Sequence, residues 1–256
     1  MDATRLARLA RPGPAGAIAL LAVLVVLYST SIDIRASRDA SITGDEPFYL
    51  ITTQSLLQDG NLDLRRQYAT RSYEAFFDHP GGLWSQSVPL DDGRVLSPHN
   101  VGPSVLVLPG FAIDGLVGAQ VQLVLMAALT WALAYVLALR LTGARPWLVW
   151  VATALVALSA TGYIYSSEVY PEIPAGLVLV SVLLLTTGPE RPSALRVLAV
   201  VVLLSTLPWL GYEVRAARRA ARALRAVARR TTRPRGAPGR RRGLRVRLRR
   251  IPPRYV

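Results

Sequence analysis

Thr43-Gly44-Asp45-Glu46-Pro47-Phe48-Tyr49-Leu50 sets two adjacent carboxylates directly before a proline and a run, Phe48 to Leu57, that reads as amphipathic. The run stops at Gln58-Asp59-Gly60-Asn61. Proline suits the first turn of a helix, where its missing N–H is not needed. Acids suit the positive N-terminal end of the helix dipole, and glycine suits the left-handed residue that ends a helix. The spacing predicts a helix entered at Asp45-Glu46 and closed at Gly60. The acidic pair then has two readings, as a cap or as the start of a site facing the membrane interface.

Toward the N-terminus lies the reason for invoking a membrane. Ala15 to Ile32 is uninterrupted by charge and follows Arg5, Arg8 and Arg11. At about 1.5 Å per residue it reaches about 27 Å, enough to cross a hydrocarbon core. Its length and the apolar runs after it favour a retained helix over a cleaved signal. The arginines place residues 1–14 in the cytoplasm by the positive-inside rule, so residues 33–102 emerge on the outer face.

This outer loop carries the acidic stretch, then Asn61-Leu62-Asp63-Leu64-Arg65-Arg66 and Tyr73-Glu74-Ala75-Phe76-Phe77-Asp78-His79-Pro80. Asp92-Gly93, flanked by Val88 and Leu90 and by Val95 and Leu96, predicts a short hairpin. Phe48, Tyr49, Tyr73, Phe76, Phe77 and Trp84 are expected to form an aromatic layer on the headgroup region. Ser97-Pro98-His99-Asn100-Val101-Gly102-Pro103 closes the loop.

Residues 103–118 are apolar but interrupted by Pro109-Gly110, Asp114, Gly115 and Gly118, which predicts a half-span or interfacial helix. Such backbone survives at membrane depth only under cover of protein or in a water-filled cavity. The remaining runs predict spans at 119–141, 146–164, 173–187 and 197–211, within a helical region 119–213. Arg140, Arg145, Glu190, Arg191 and Arg196 mark the cytoplasmic ends. The turn Tyr165-Ser166-Ser167-Glu168-Val169-Tyr170-Pro171-Glu172 returns to the outer face. Glu168 and Glu172 then share a side with Asp45 and Glu46, either as solvated turn residues or as part of one site. The fold class expected is an all-α, polytopic transmembrane bundle with a small mixed outer domain.

Composition agrees with that class and bounds the chemistry. Of 256 residues 52% are hydrophobic. No cysteine is present, which excludes disulfides, thiol catalysis and zinc–thiolate sites. Two histidines are too few for a histidine-only metal cluster, and no residue set is assigned to a metal. All 30 basic residues are arginine, and their distribution is uneven. Residues 1–214 hold 13 Arg against 16 acids, a net −3, whereas residues 215–256 hold 17 Arg and no acid, a net +17. The tail, 214–256, reads as a lipid- or nucleic-acid-binding segment, as a solvated helix with a disordered end, or as the product of a shifted frame in a G+C-rich gene. Five crossings from a cytoplasmic start would leave its arginines outside, against the positive-inside rule. The foreign tail is therefore the favoured expectation, and nucleic acid is not an expected partner.

Three stretches carry a resemblance: Gly-Asp-Glu-Pro-Phe-Tyr-Leu at 44–50, Ser-Pro-His-Asn-Val-Gly-Pro at 97–103 and Glu-Val-Tyr-Pro-Glu at 168–172. Over residues 10–213 the chain resembles the N-terminal part of bacterial membrane glycosyltransferases of the GT-C fold, relatives of the protein O-mannosyltransferases and aminoarabinose transferases. The acidic motif is the more specific of the three. The resemblance implies a multi-pass protein of the inner membrane. Its donor would be a sugar on a polyprenyl phosphate, its acceptor an envelope component of unstated identity, and its displacement inverting. It implies no cofactor beyond that donor and leaves room for a divalent cation. Carried over by position, Asp45 is the catalytic acid/base with Glu46 beside it. His99, Glu168, Tyr170 and Glu172 are candidate substrate-binding residues, and Arg65 and Arg66 candidate partners of the phosphate. The isoprenoid would lie beside the broken helix 103–118. Members have more spans, so the chain reads as a truncated or frameshifted copy. An inert membrane fragment and a transporter are the rival readings.

Overall fold

The computed structural model describes residues 14–37, 39–187 and 193–211. The basic segment with Arg5, Arg8 and Arg11, the Glu190-Arg191 loop and the arginine tail lie outside them. The fold is all-α in class, with helices α1 (Pro14–Ser29), α2 (Glu46–Asp59), α3 (Arg65–Ala69), α4 (Val101–Thr142), α5 (Pro146–Ala157), α6 (Ala160–Ile164), α7 (Glu172–Thr186) and α8 (Ala194–Thr206). Single 3-10 turns follow at Ser72–Ala75 and Leu207–Leu210, and β1 (Val88–Pro89) pairs antiparallel with β2 (Val95–Leu96). The β-turn between them closes where Asp92-Gly93 predicts it, with Gly93 at φ 84°.

α4 is the one helix, among the described residues, long and apolar enough to cross a membrane. It is not straight. Asp114 (φ −150°, ψ 44°) and Gly115 (φ 50°, ψ −131°) leave helical geometry, and the chain doubles back there. Residues 110 and 118 would stand about 12 Å apart along a straight helix. Here a Cβ on Gly118 would lie 2.1 Å from the Gly110 carbonyl oxygen. Gln122 ties the two arms. Its side-chain oxygen accepts the Gly110 N–H at 2.8 Å, and its amide donates to the Leu106 carbonyl at 2.6 Å. The break falls inside 103–118, as the interruptions there predict, but at Asp114-Gly115 and not at Pro109-Gly110, which stay helical. The long arm, 116–142, measures about 40 Å at 1.5 Å per residue.

The other apolar runs form shorter helices than the run lengths predict. α1, α5, α7 and α8 have 16, 12, 15 and 13 residues, below the roughly 20 of a usual span. The run 146–164 is cut at Leu158-Ser159, where the Ser159 hydroxyl caps α6 by accepting the Gly162 N–H. The freed carbonyl of Ala157 takes the Tyr28 hydroxyl at 2.8 Å. The run 197–211 tightens into a 3-10 turn at Pro208.

Two cores stack along the long arm of α4. In one, Leu20, Leu24 and Tyr28 of α1 pack on Val124, Ala127, Ala128 and Tyr135, with Val149 and Ala157 of α5 closing the side. α7 runs parallel to the long arm, with Gly176 against Thr130 and Arg140 donating to the Leu184 carbonyl. α8 packs on α7, yet none of its residues is buried.

The second core belongs to the loop domain, residues 33–102, and corrects two expectations. α2 is not amphipathic in its setting: Glu46 to Ser55 are all buried, because the loop wraps one side and both arms of α4 take the other. Its polar side chains are satisfied locally. The Thr53 hydroxyl donates to the Tyr49 and Ser104 carbonyls, and Gln54 exchanges hydrogen bonds with Ser72. The aromatics do not form a surface layer either. Phe48, Tyr49, Tyr73, Phe76 and Phe77 are buried with Val107, Phe111 and Leu123, and only Trp84 of the six is exposed. A loop domain this small has few aliphatic residues, so its rings supply the area it must bury.

Candidate functional site

The acidic stretch sits where α2, the loop's end at His99 and the turn 165–171 meet. Asp45 and Glu46 are adjacent in sequence but differ in environment. Glu46 is buried, and both its oxygens accept backbone N–H groups, from Val169 at 2.8 Å and from Thr43 at 3.2 Å. Burial pushes its carboxyl up to about 7, the two hydrogen bonds pull the other way, and the nearby Glu168 adds to the rise. Asp45 stands at the N-cap position without a side-chain capping bond, and its side chain is 47% exposed. The capping reading therefore fits Glu46, which holds the loop, better than Asp45.

Tyr170 completes the clamp on this stretch. Its hydroxyl oxygen accepts the Asp45 N–H at 3.2 Å. Gly44 makes room for it: φ is +60°, and a Cβ there would lie 2.2 Å from the Tyr170 oxygen. The turn 165–171 thus grips Asp45 and Glu46 through two consecutive residues, Val169 and Tyr170. Burial raises the Tyr170 and Glu168 groups above their ordinary values, with Glu172 adding to Glu168's rise. Tyr49 is pushed up to about 12, first by burial and then by Asp45, Glu172 and Tyr170.

His99 is 16% exposed by side chain. Its Nδ1 lies 3.8 Å from an Asp45 carboxylate oxygen, and its Nε2 lies 2.9 Å from Gln86 Oε1. The ring stacks on Phe48 at 5.4 Å between centroids and leans on Tyr49 at 5.3 Å. Trp84 meets the other side of Phe48 edge-on.

Of the candidate residues, Asp45, Glu46, His99, Glu168, Tyr170 and Glu172 come together. Arg65 and Arg66 do not join them. They lie past the far end of α2, about 20 Å from Asp45 by helix rise. There Arg66 pairs with Asp59, and Arg65 with Asp63 at 2.6 Å. Arg71 and Arg94 are likewise held, by Glu74 and Asp92. Among the described residues no group of acids and histidines could hold a metal ion. Nothing in the sequence points to Gln86, and Phe48 and Gly44 stand in the motif without a site role of their own; Gly44, directly before two acids, is the readable signal for a close approach.

An apolar groove of about 610 Å³ opens between the short arm of α4, α7 and α8. Val101, Gly102, Val105, Pro174, Leu177 and Trp209 help to line it. Val101 and Pro174 are each two residues from a member of the cluster, His99 and Glu172.

Comparison of the chain with protein-family models, with characterised proteins and with solved structures finds no match.

Proposed function

We propose that the chain is a polytopic membrane glycosyltransferase of the bacterial inner membrane, moving a sugar from a polyprenyl-phosphate donor to an envelope acceptor on the outer face. One observation carries this reading: two residues that line the apolar groove, Val101 and Pro174, each stand two positions along the chain from a member of the polar cluster, His99 and Glu172. A lipid-linked sugar needs that combination, an isoprenoid channel meeting a base at the water boundary. A membrane setting is supported by the large apolar side chains exposed on the helices, among them Ile18, Val26, Leu155, Leu195, Leu198 and Val201. Apolar exposure on this scale is the mark of a surface solvated by something other than water.

Asp45 has the features of the base. Its carboxylate is not consumed in capping, reaches solvent and is held by its backbone to Tyr170. In the reaction it takes the proton of the acceptor hydroxyl while that oxygen bonds to the anomeric carbon. The bond from that carbon to the phosphate oxygen breaks, and the polyprenyl phosphate leaves as an anion. Glu46 does not share this role, since both its oxygens already serve the backbone. The test is sugar transfer from a polyprenyl-phosphate donor by membranes carrying wild type, Asp45→Asn or Glu46→Gln at matched expression. Asp45→Asn is expected to lower turnover by about 10²–10⁴-fold. A wild-type chain without transfer, or an Asp45→Asn chain that turns over like wild type, would overturn the proposal.

A further inference from the structure

Resting on the glycosyl-transfer reading, we propose that His99 is the positioning residue of Asp45 and takes up the proton that Asp45 receives. The argument begins at the side of the ring away from the acid. Gln86 Oε1 is an acceptor only, so the His99 Nε2 facing it at 2.9 Å carries a hydrogen. A neutral imidazole has one N–H, so Nδ1 then presents a lone pair toward the Asp45 carboxylate 3.8 Å away. Lone pair and carboxylate repel unless a proton stands between them. The ring cannot swing aside to avoid this, since it is stacked on Phe48, flanked by Tyr49 and largely buried. The geometry therefore gives the proton-free pair a place for one proton, on Nδ1 or on the acid.

The other titratable groups around the pair are Tyr49 of α2, Tyr170 and Glu168 of the outer turn, and Glu172 at the start of α7. In the reaction, the acceptor proton passes first to Asp45 and then to Nδ1, leaving an imidazolium and a carboxylate. Water removes that proton before the next turnover. This assignment differs from the substrate-binding role that the family resemblance implies for His99.

The chain has two histidines, which makes the test direct. Ring nitrogens are followed by NMR across a pH titration in the ¹⁵N-histidine-labelled full chain in micelles, with His79→Asn identifying the His99 signals. The expected result is an Nε2–H tautomer at high pH and a titration midpoint that falls by about half a unit or more in Asp45→Asn. In the transfer assay, His99→Gln is expected to change the acidic limb of the pH–rate profile. An Nδ1–H tautomer, or a midpoint indifferent to Asp45→Asn, would overturn the proposal even if His99→Gln failed to fold. The NMR arm needs no substrate. A coupled pair in a chain whose Asp45→Asn variant transfers sugar normally would sink the relay through the failure of the catalytic reading, while the pairing itself stands.

Discussion

The Glu46 carboxylate and the Val169 N–H meet at 2.8 Å across 123 positions of sequence. The bond joins the start of α2 to the turn before α7, and it is made by a side chain that has left water. Its strength and its pH dependence have one origin, because the burial that shields the bond also disfavours the charge.

This gives a signed expectation. In the unfolded chain Glu46 titrates at its ordinary value near 4.5, and in the folded chain near 7. Between the two the folded state keeps a proton that the unfolded state has released. The proton's contribution is fully present below the unfolded value and is lost as pH rises through about 7. The loss is on the order of 3 kcal/mol. Thermal unfolding in detergent is expected to show a midpoint that falls between about pH 5 and pH 8, with a flatter profile for Glu46→Gln. An unchanged slope in that variant would assign the pH dependence elsewhere.

Gly44→Ala meets two obstacles, a positive φ and the Tyr170 hydroxyl. The second can be removed alone, because in Tyr170→Phe the nearest remaining ring atom is 3.6 Å from the new Cβ. Gly44→Ala is expected to cost about 2–3 kcal/mol in wild type and about 1 kcal/mol in the Tyr170→Phe background. Unfolding of the four chains of the cycle measures the difference, and additive costs would show that the hydroxyl does not press on Gly44.

The hairpin of α4 separates the same two effects at different positions. Gly115 has open space around it but a φ of 50°, whereas Gly118 has ordinary φ and the Gly110 carbonyl against it. Gly115→Ala should cost about 1–2 kcal/mol through backbone strain alone. Gly118→Ala should cost more, since the two arms must part, and should also release the Gln122 bridge. Unfolding midpoints rank the two, and amide exchange at Gly110 reports the bridge.

A chain without cysteine suits thiol labelling. Ser85 in the loop domain and Ala144 after α4 are both exposed. In intact cells an impermeant reagent is expected to label Ser85→Cys, and to label Ala144→Cys only after permeabilisation. Labelling of both positions in intact cells would refute the proposed orientation.

Local signals were readable in advance, and distant partners were not. Pro47 and Gly60 bracket α2 as their backbone preferences require, and Asp92-Gly93 turns the hairpin. The glycines and Asp114 announce a break within 103–118, although its sharpness depends on two backbones touching. The division of labour between Asp45 and Glu46 was hidden, because it depends on Val169 and Tyr170 arriving from more than a hundred residues away. Likewise Phe48, Tyr73 and Phe76 have the composition of an interfacial layer, and only the arms of α4 turn them into a core. The pairing of Arg65 with Asp63 and of Arg66 with Asp59 was within reach, since each acid stands a few residues upstream.

The clamp on the acidic stretch also sets an order of events during biosynthesis. Residues 43–50 leave the ribosome more than a hundred residues before Val169 and Tyr170. Until then Glu46 is an ordinary hydrated carboxylate, ionised at neutral pH. When the later turn closes a loop of this length it pays a closure entropy that grows only slowly with length. It also draws a proton from solution as Glu46 is enclosed. Maturation of the site is in that sense an acid-consuming docking step, and it is less favoured at alkaline than at acidic pH.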